Sequence, residues 1–294
     1  MGGTAMLFVP AAEERKIRKI PHLPGDSVIL DLEDSVARSA KESARHAAAS
    51  VLERPTDGKS IWVRVNPVGS EELDEDLSAV VRPGLAGLTL PKVESARDLH
   101  IVDYLVGRKE RKLNLQPGSV PLMATIETVA GLRNLEMIVT ATPRLRLLCF
   151  GAGDFSLDAG VEWAGDDPEA PPSETLTYAR AQIVLWSRSA HLYAPHDGAY
   201  PRHGDHEGLR TEAEHARRMG FGGKHAIHPD QVAQIGRIFG RPSKSELDKA
   251  QRTVEAFDRA EAAGQAAITV DGKLVDYPIA ARARQLLAAH DVAT

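Results

Sequence analysis

The chain has 294 residues, 43% of them hydrophobic and 26% charged, with a formal net charge of −5 and a pI near 6.1. That composition excludes a disordered chain, because there is enough apolar surface to bury a large core, and it lacks the cationic excess that nucleic-acid binding requires. Cys149 is the single cysteine, which excludes an intrachain disulfide or a thiolate metal cluster, and no apolar stretch approaches the ~20 residues of a membrane helix.

The expected partner is therefore a small molecule, with no nucleic acid and no membrane, and the expected compartment is the cytoplasm. Along the chain, short apolar runs at 6–9, 27–32, 61–65, 85–90, 120–126, 145–150, 192–194 and 224–227 alternate with stretches of crossover-helix length. Near-continuous hydrophobicity, as in Val28-Ile29-Leu30, marks strands covered on both faces. Eight such units predict a (β/α)8 TIM barrel, an α/β fold, over residues 1–240. A doubly wound open sheet is disfavoured because Pro10-Ala11-Ala12-Glu13, rather than a glycine-rich phosphate loop, follows the first run.

The pattern changes after residue 240. Ser243-Lys244-Ser245-Glu246 reads as a capping box that opens a helix. Residues 268–275 then read as a hairpin turning at Asp271-Gly272, and a last helix follows. Residues 241–294 are thus expected to form a helix-hairpin-helix extension, a lid or an oligomerisation arm.

In a barrel the chemistry gathers beyond the carboxyl ends of the strands. Asp31, Glu33 and Asp34 follow the second run and read either as a solvated turn or as part of a site. Arg64 lies in the third run between Val63 and Val65 and needs an anionic partner to offset desolvation. Lys92 and Glu94 follow the fourth, Glu127 the fifth, Asp154 the sixth, His196 and Asp197 the seventh, and His228 the eighth. Glu127 and Asp154, on adjacent strand ends, form the pair that a hard divalent cation wants. Cys149, in an apolar run, reads as core packing. The cluster His203, Asp205, His206 and Glu207 reads as a helix start capped by Asp205 rather than a zinc site. Residues 13–19 read as a solvated helix face, with Arg15 and Lys16 near the barrel mouth where they could meet a phosphate.

With those motifs in view, the sequence resembles the citrate lyase beta subunit-like family of the HpcH/HpaI aldolase superfamily over nearly its whole length. The resemblance rests on Leu7-Phe8-Val9-Pro10, on the stretch from Ile29 through Asp31, Glu33 and Asp34 to Val36, and on Val63-Arg64-Val65-Asn66-Pro67. It continues in Leu90-Pro91-Lys92-Val93-Glu94, Ile126-Glu127-Thr128, Phe150-Gly151-Ala152-Gly153-Asp154, Ile227-His228-Pro229 and the hairpin ending at Asp276. It implies a Mg2+-dependent enzyme (Mn2+ being an alternative), commonly a homotrimer, that makes or breaks a carbon–carbon bond between an acyl-CoA and a 2-oxo acid. By the same resemblance Glu127 and Asp154 match the metal ligands and Arg64 the arginine that binds substrate oxygens. Glu33 and Asp34 match carboxylates that hold metal-bound waters. Asp276 matches an acid or base reaching into a neighbouring subunit's site.

The first strand end departs from the family's pattern. Where the family has proline, glycine and an arginine that helps hold the CoA phosphates or the substrate, Pro10 is followed by Ala11, Ala12 and Glu13. Arg15 or Lys16 is the cation expected to substitute, and Lys92 is a further expected cofactor-binding residue. The alternatives are a CoA-independent aldolase acting on 4-hydroxy-2-oxo acids, and a catalytically silent protein that binds acyl-CoA or an organic acid.

Overall fold

The computed structural model describes residues 3–163 and 173–291. They form two compact units, 1–239 and 240–294.

The first unit is a closed barrel of eight parallel strands in sequence order. They are β1 (Ala5–Pro10), β2 (Ser27–Asp31), β3 (Ser60–Arg64), β4 (Leu85–Leu90), β5 (Leu122–Ile126), β6 (Leu145–Phe150), β7 (His196–Asp197) and β8 (Gly223–Ala226). β8 pairs with β1 through Ala5 and Lys224, which removes every edge.

The pleat sorts each strand into two sets. Leu7, Val9, Val28, Leu30, Val63 and Leu148 join a large core beneath the surrounding helices. Met6, Ile29, Trp62, Met123, Leu147 and Cys149 make a separate cluster that fills the barrel interior. Trp62 fits because its neighbour on β4 is Gly87, where a Cβ would approach the indole to 2.4 Å.

The seventh strand corrects the sequence reading. The apolar run 192–194 is not a strand, and Tyr193 is 45% exposed. The strand is His196–Asp197, paired with Cys149 and Phe150 on one side and with Gly223 and Lys224 on the other. Hydropathy misses it because its outward side chain is a carboxylate, neutralised inside the wall by Arg180 and Lys224.

The second unit holds a helix, Lys244–Ala262, the antiparallel pair β9 (Ala267–Val270) and β10 (Lys273–Asp276), and a helix, Tyr277–Asp291. Ser243 and Glu246 close the expected capping box. Asp271 and Gly272 both take positive φ, the geometry of a primed hairpin turn. Phe257, Val275 and Ala280 are the small core of this unit.

Candidate active site

The carboxyl ends of the strands surround a cavity of about 490 Å3 whose walls include Asp31, Asp34, Arg64, Glu127 and Asp154. Asp31 ends β2 and is fully buried. Its oxygens accept from the backbone N–H of Glu33 at 2.9 Å and of Ser35 at 3.1 Å, and from the Ser35 hydroxyl at 2.5 Å. They also take both Nε and Nη2 of Arg64, each at 2.7 Å, a bidentate fork that fixes the guanidinium plane. Burial alone would raise the Asp31 pKa, but the Arg64 fork outweighs it and holds the carboxyl below its ordinary value.

Arg64 turns its remaining nitrogen, Nη1, to Glu33 at 2.9 Å and to Asp34 at 3.4 Å, and its guanidinium lies 4.8 Å from the Phe8 ring centroid. A solvated turn does not describe this segment, since Glu33 as well as Asp31 is buried; only Asp34 keeps half its side chain in solvent. Lys41 secures the segment from behind, donating to the carbonyls of Leu32 at 2.6 Å and Glu33 at 2.8 Å.

Glu127, just past β5, is buried, and its Oε1 accepts the Lys92 backbone N–H at 2.7 Å. Lys92 makes that contact from a left-handed backbone, with φ at 50°. Gly151 opposite is required by space, because a Cβ there would come within 2.3 Å of Glu127 Oε2. Burial first, and then the Asp154 and Glu33 charges, push the Glu127 carboxyl up to about 8. A group so placed is short of a cation.

Lys92 also sends its side chain into the carboxylate cluster. Its ammonium is held among carboxylates, at 2.6 Å from Glu33, 3.5 Å from Asp34 and 3.6 Å from Asp154. Arg15 is exposed and lines neither this cavity nor its small neighbour. Lys16 lines both, though it also pairs with Glu13 at 2.7 Å. The small neighbour, of about 220 Å3, adds Lys19 and His228.

A match to the family model described as HpcH/HpaI aldolase/citrate lyase spans residues 4–229. The chain belongs to the HpcH/HpaI aldolase/citrate lyase family. Within it, the chain is 35% identical over 285 residues to citrate lyase subunit beta of Escherichia coli strain K12, covering 96% of this chain and 91% of that one. It is also 35% identical over 285 residues to the (3S)-malyl-CoA thioesterase of Cereibacter sphaeroides, covering 97% and 93%. The crystal structure of protein CitE from Mycobacterium tuberculosis, in complex with magnesium, acetoacetate and coenzyme A, aligns with a TM-score of 0.79 at 28% identity, covering 98% of this chain and 97% of that one.

Several residues take places other than those the sequence alone assigned. Cys149 packs in the interior as expected, but it also lines the cavity, with Sγ 3.5 Å from His225 Nδ1. Burial raises the thiol pKa and lowers that of His225, so the pair is neutral and Cys149 is no nucleophile. Phe8, His225 and Trp163 reach the cavity although only their inward pleat or loop position marks them. His196 and Asp197, expected at the rim, are buried in β7. Burial lowers His196 to about 4, and Asp197 faces Arg180 and Lys224. Asp205 caps the helix His206–Met219 through the Gly208 N–H at 2.9 Å, as the sequence suggested. In the second unit, Asp276 accepts the Ile279 N–H at 3.2 Å and so caps its own helix.

Among the described residues, no helix is long and apolar enough to cross a membrane.

Proposed function

We propose that the protein is a Mg2+-dependent carbon–carbon lyase that cleaves or forms a 3-hydroxyacyl-CoA of the malyl-, citramalyl- or citryl-CoA type from an acyl-CoA and a 2-oxo acid. The observation that carries this reading is the placement of Glu127 and Asp154, from adjacent strand ends, on the wall of a single cavity with Arg64. The donor set fits a hard cation: among the described residues Asp31, Glu33, Asp34 and Asp154 form ion pairs with Arg64 and Lys92 alone, Glu127 forms none, and the ligands offered are all oxygen. Glu127 and Asp154 would hold the ion, with Glu33 and Asp34 accepting from its waters. When bound, Mg2+ supplies a Lewis acid that polarises the carbonyl of a chelated 2-oxo acid.

The chain's own groups do the rest. Arg64 is preorganised by Asp31 to donate where negative charge develops on the substrate oxygen. In the cleavage direction the 3-hydroxyl proton passes to a base, solvent water serving at the open cavity, the carbon–carbon bond breaks, and the enolate carbon gains a proton. Asp276 is assigned as the group that exchanges that proton, acting in a neighbouring subunit's site of a homotrimer. Its flanks support this, because Leu274 is 64% exposed and Tyr277 52%, apolar surface for a second copy to cover. Lys16 and Lys19 on the small cavity support phosphate binding in place of the missing arginine.

The test is to offer malyl-CoA, citramalyl-CoA and citryl-CoA alongside 4-hydroxy-2-oxo acids, with and without Mg2+. Acyl-CoA and 2-oxo acid should appear only from the thioesters, only with Mg2+. Glu127→Ala and Asp154→Ala should each lose Mg2+ binding and at least a hundredfold in turnover. Full activity in either variant overturns the reading. Release of free CoA and a hydroxy acid would make the same site a thioesterase, the activity of the Cereibacter relative.

A further inference from the structure

A second group of metal-type donors is assembled by the fold from side chains outside the carboxylate cluster. His203 lies between β7 and the helix His206–Met219, whereas His228 and Asp230 lie where β8 passes into the helix Pro229–Phe239. One side-chain donor atom from each of the three lies within 4.8 Å of the other two. The two imidazoles face each other with centroids 3.8 Å apart and planes tilted by 40°. Asp230 Oδ2 is 3.4 Å from His228 Nδ1, which also takes the Asp230 backbone N–H at 3.3 Å.

The geometry points to a second metal site, formed by His203, His228 and Asp230 and suited to a borderline transition-metal ion of the Zn2+, Co2+ or Ni2+ class. Two imidazoles and one carboxylate select such ions, whereas Mg2+ prefers an all-oxygen shell. Donors about 2.0–2.1 Å from a tetrahedral ion stand about 3.4 Å apart, so donors separated by up to 4.8 Å must draw in by as much as about 1.4 Å. His203 and Asp230 are exposed and His228 only half-buried, so that movement disturbs no core. Three protein donors leave a coordination position for water or for an oxygen of a bound ligand.

The position gives the site a consequence. Gly198 and Ala199, upstream of His203, line the main cavity, as does Ile227 beside His228. An ion on the three donors would clip these two segments of the cavity wall together.

The test uses full-length protein stripped with chelator and then held in saturating Mg2+. Co2+ is titrated in while calorimetry and visible absorption are read. One equivalent should bind with ligand-field bands of imidazole coordination. His203→Ala and His203→Gln should each weaken it at least tenfold, with unchanged circular dichroism, and Glu127→Gln should not. Identical Co2+ affinity and spectra in the His203 variants would overturn the proposal. So would a signal lost in Glu127→Gln but kept in His203→Ala, since the ion would then belong to the carboxylate centre.

Discussion

Two of the barrel's clusters of acidic and basic side chains differ in balance. Behind β7 and β8, Asp197 and Glu212 meet Arg180 and Lys224, with Lys224 Nζ at 2.6 Å from each carboxylate. Two carboxylates face two cations, all nearly dry, and every charge has a partner. Around the main cavity Asp31, Glu33, Asp34 and Asp154 share Arg64 and Lys92, and the Glu127 carboxyl, with no ion-pair partner among the described residues, is pushed well above its usual range. A balanced cluster ties helices to a barrel wall. An unbalanced one opening on a cavity is built for something that arrives from outside.

Removing one member of each cluster separates the two roles. Asp197→Asn strands the buried Lys224 and Arg180 cations in part and should cost about 3–5 kcal/mol of stability, read by denaturant unfolding, with Mg2+ affinity in the surviving fold unchanged. A weakened Mg2+ site in that variant would merge the clusters functionally. Arg64→Lys should do the opposite, lowering turnover about a hundredfold with a far smaller change in unfolding, because an ammonium cannot reproduce the two-nitrogen fork to Asp31.

The pH dependence sharpens the same contrast. Glu127 has an ordinary value of 4.5 and in the folded, metal-free protein is pushed up to about 8, so it carries a proton at pH 7. Metal uptake should release that proton and strengthen about tenfold per unit as pH rises toward 8, levelling above it. Calorimetry in two buffers of different ionisation enthalpy counts the proton. Because the folded value exceeds the unfolded one, this group's contribution to stability is fully present below 4.5 and is lost as pH rises through about 8. Glu127→Gln should remove that loss, visible as a higher Tm at pH 8 without metal. Asp197 titrates the other way: burial would raise it, but Arg180 and Lys224 hold it below its ordinary value, so its contribution is lost only in acid.

The smallest effect expected is at Asp34. Half its side chain is in solvent, and its contacts to Arg64 and Lys92 are 3.4 Å and 3.5 Å. Asp34→Ala should weaken Mg2+ by less than tenfold in the same titration, since exposed charges are screened.

The sequence by itself determined the barrel, the capping box at Ser243 and the turn at Asp271-Gly272, because each is written in local signals: apolar runs, cap residues and positive-φ preferences. It also placed Glu127, Asp154, Arg64, Glu33 and Asp34 at strand ends, which the barrel's construction turns into neighbours. Tertiary structure decided the rest, since partners depend on register across strands distant in sequence. It placed β7 on a charged dipeptide, left Arg15 in solvent and set the Lys92 ammonium beside Glu33, Asp34 and Asp154. It also set His203 against His228 and Asp230, a grouping that no spacing along the chain displays. A carboxylate's type is local information, whereas the charge it faces belongs to the fold.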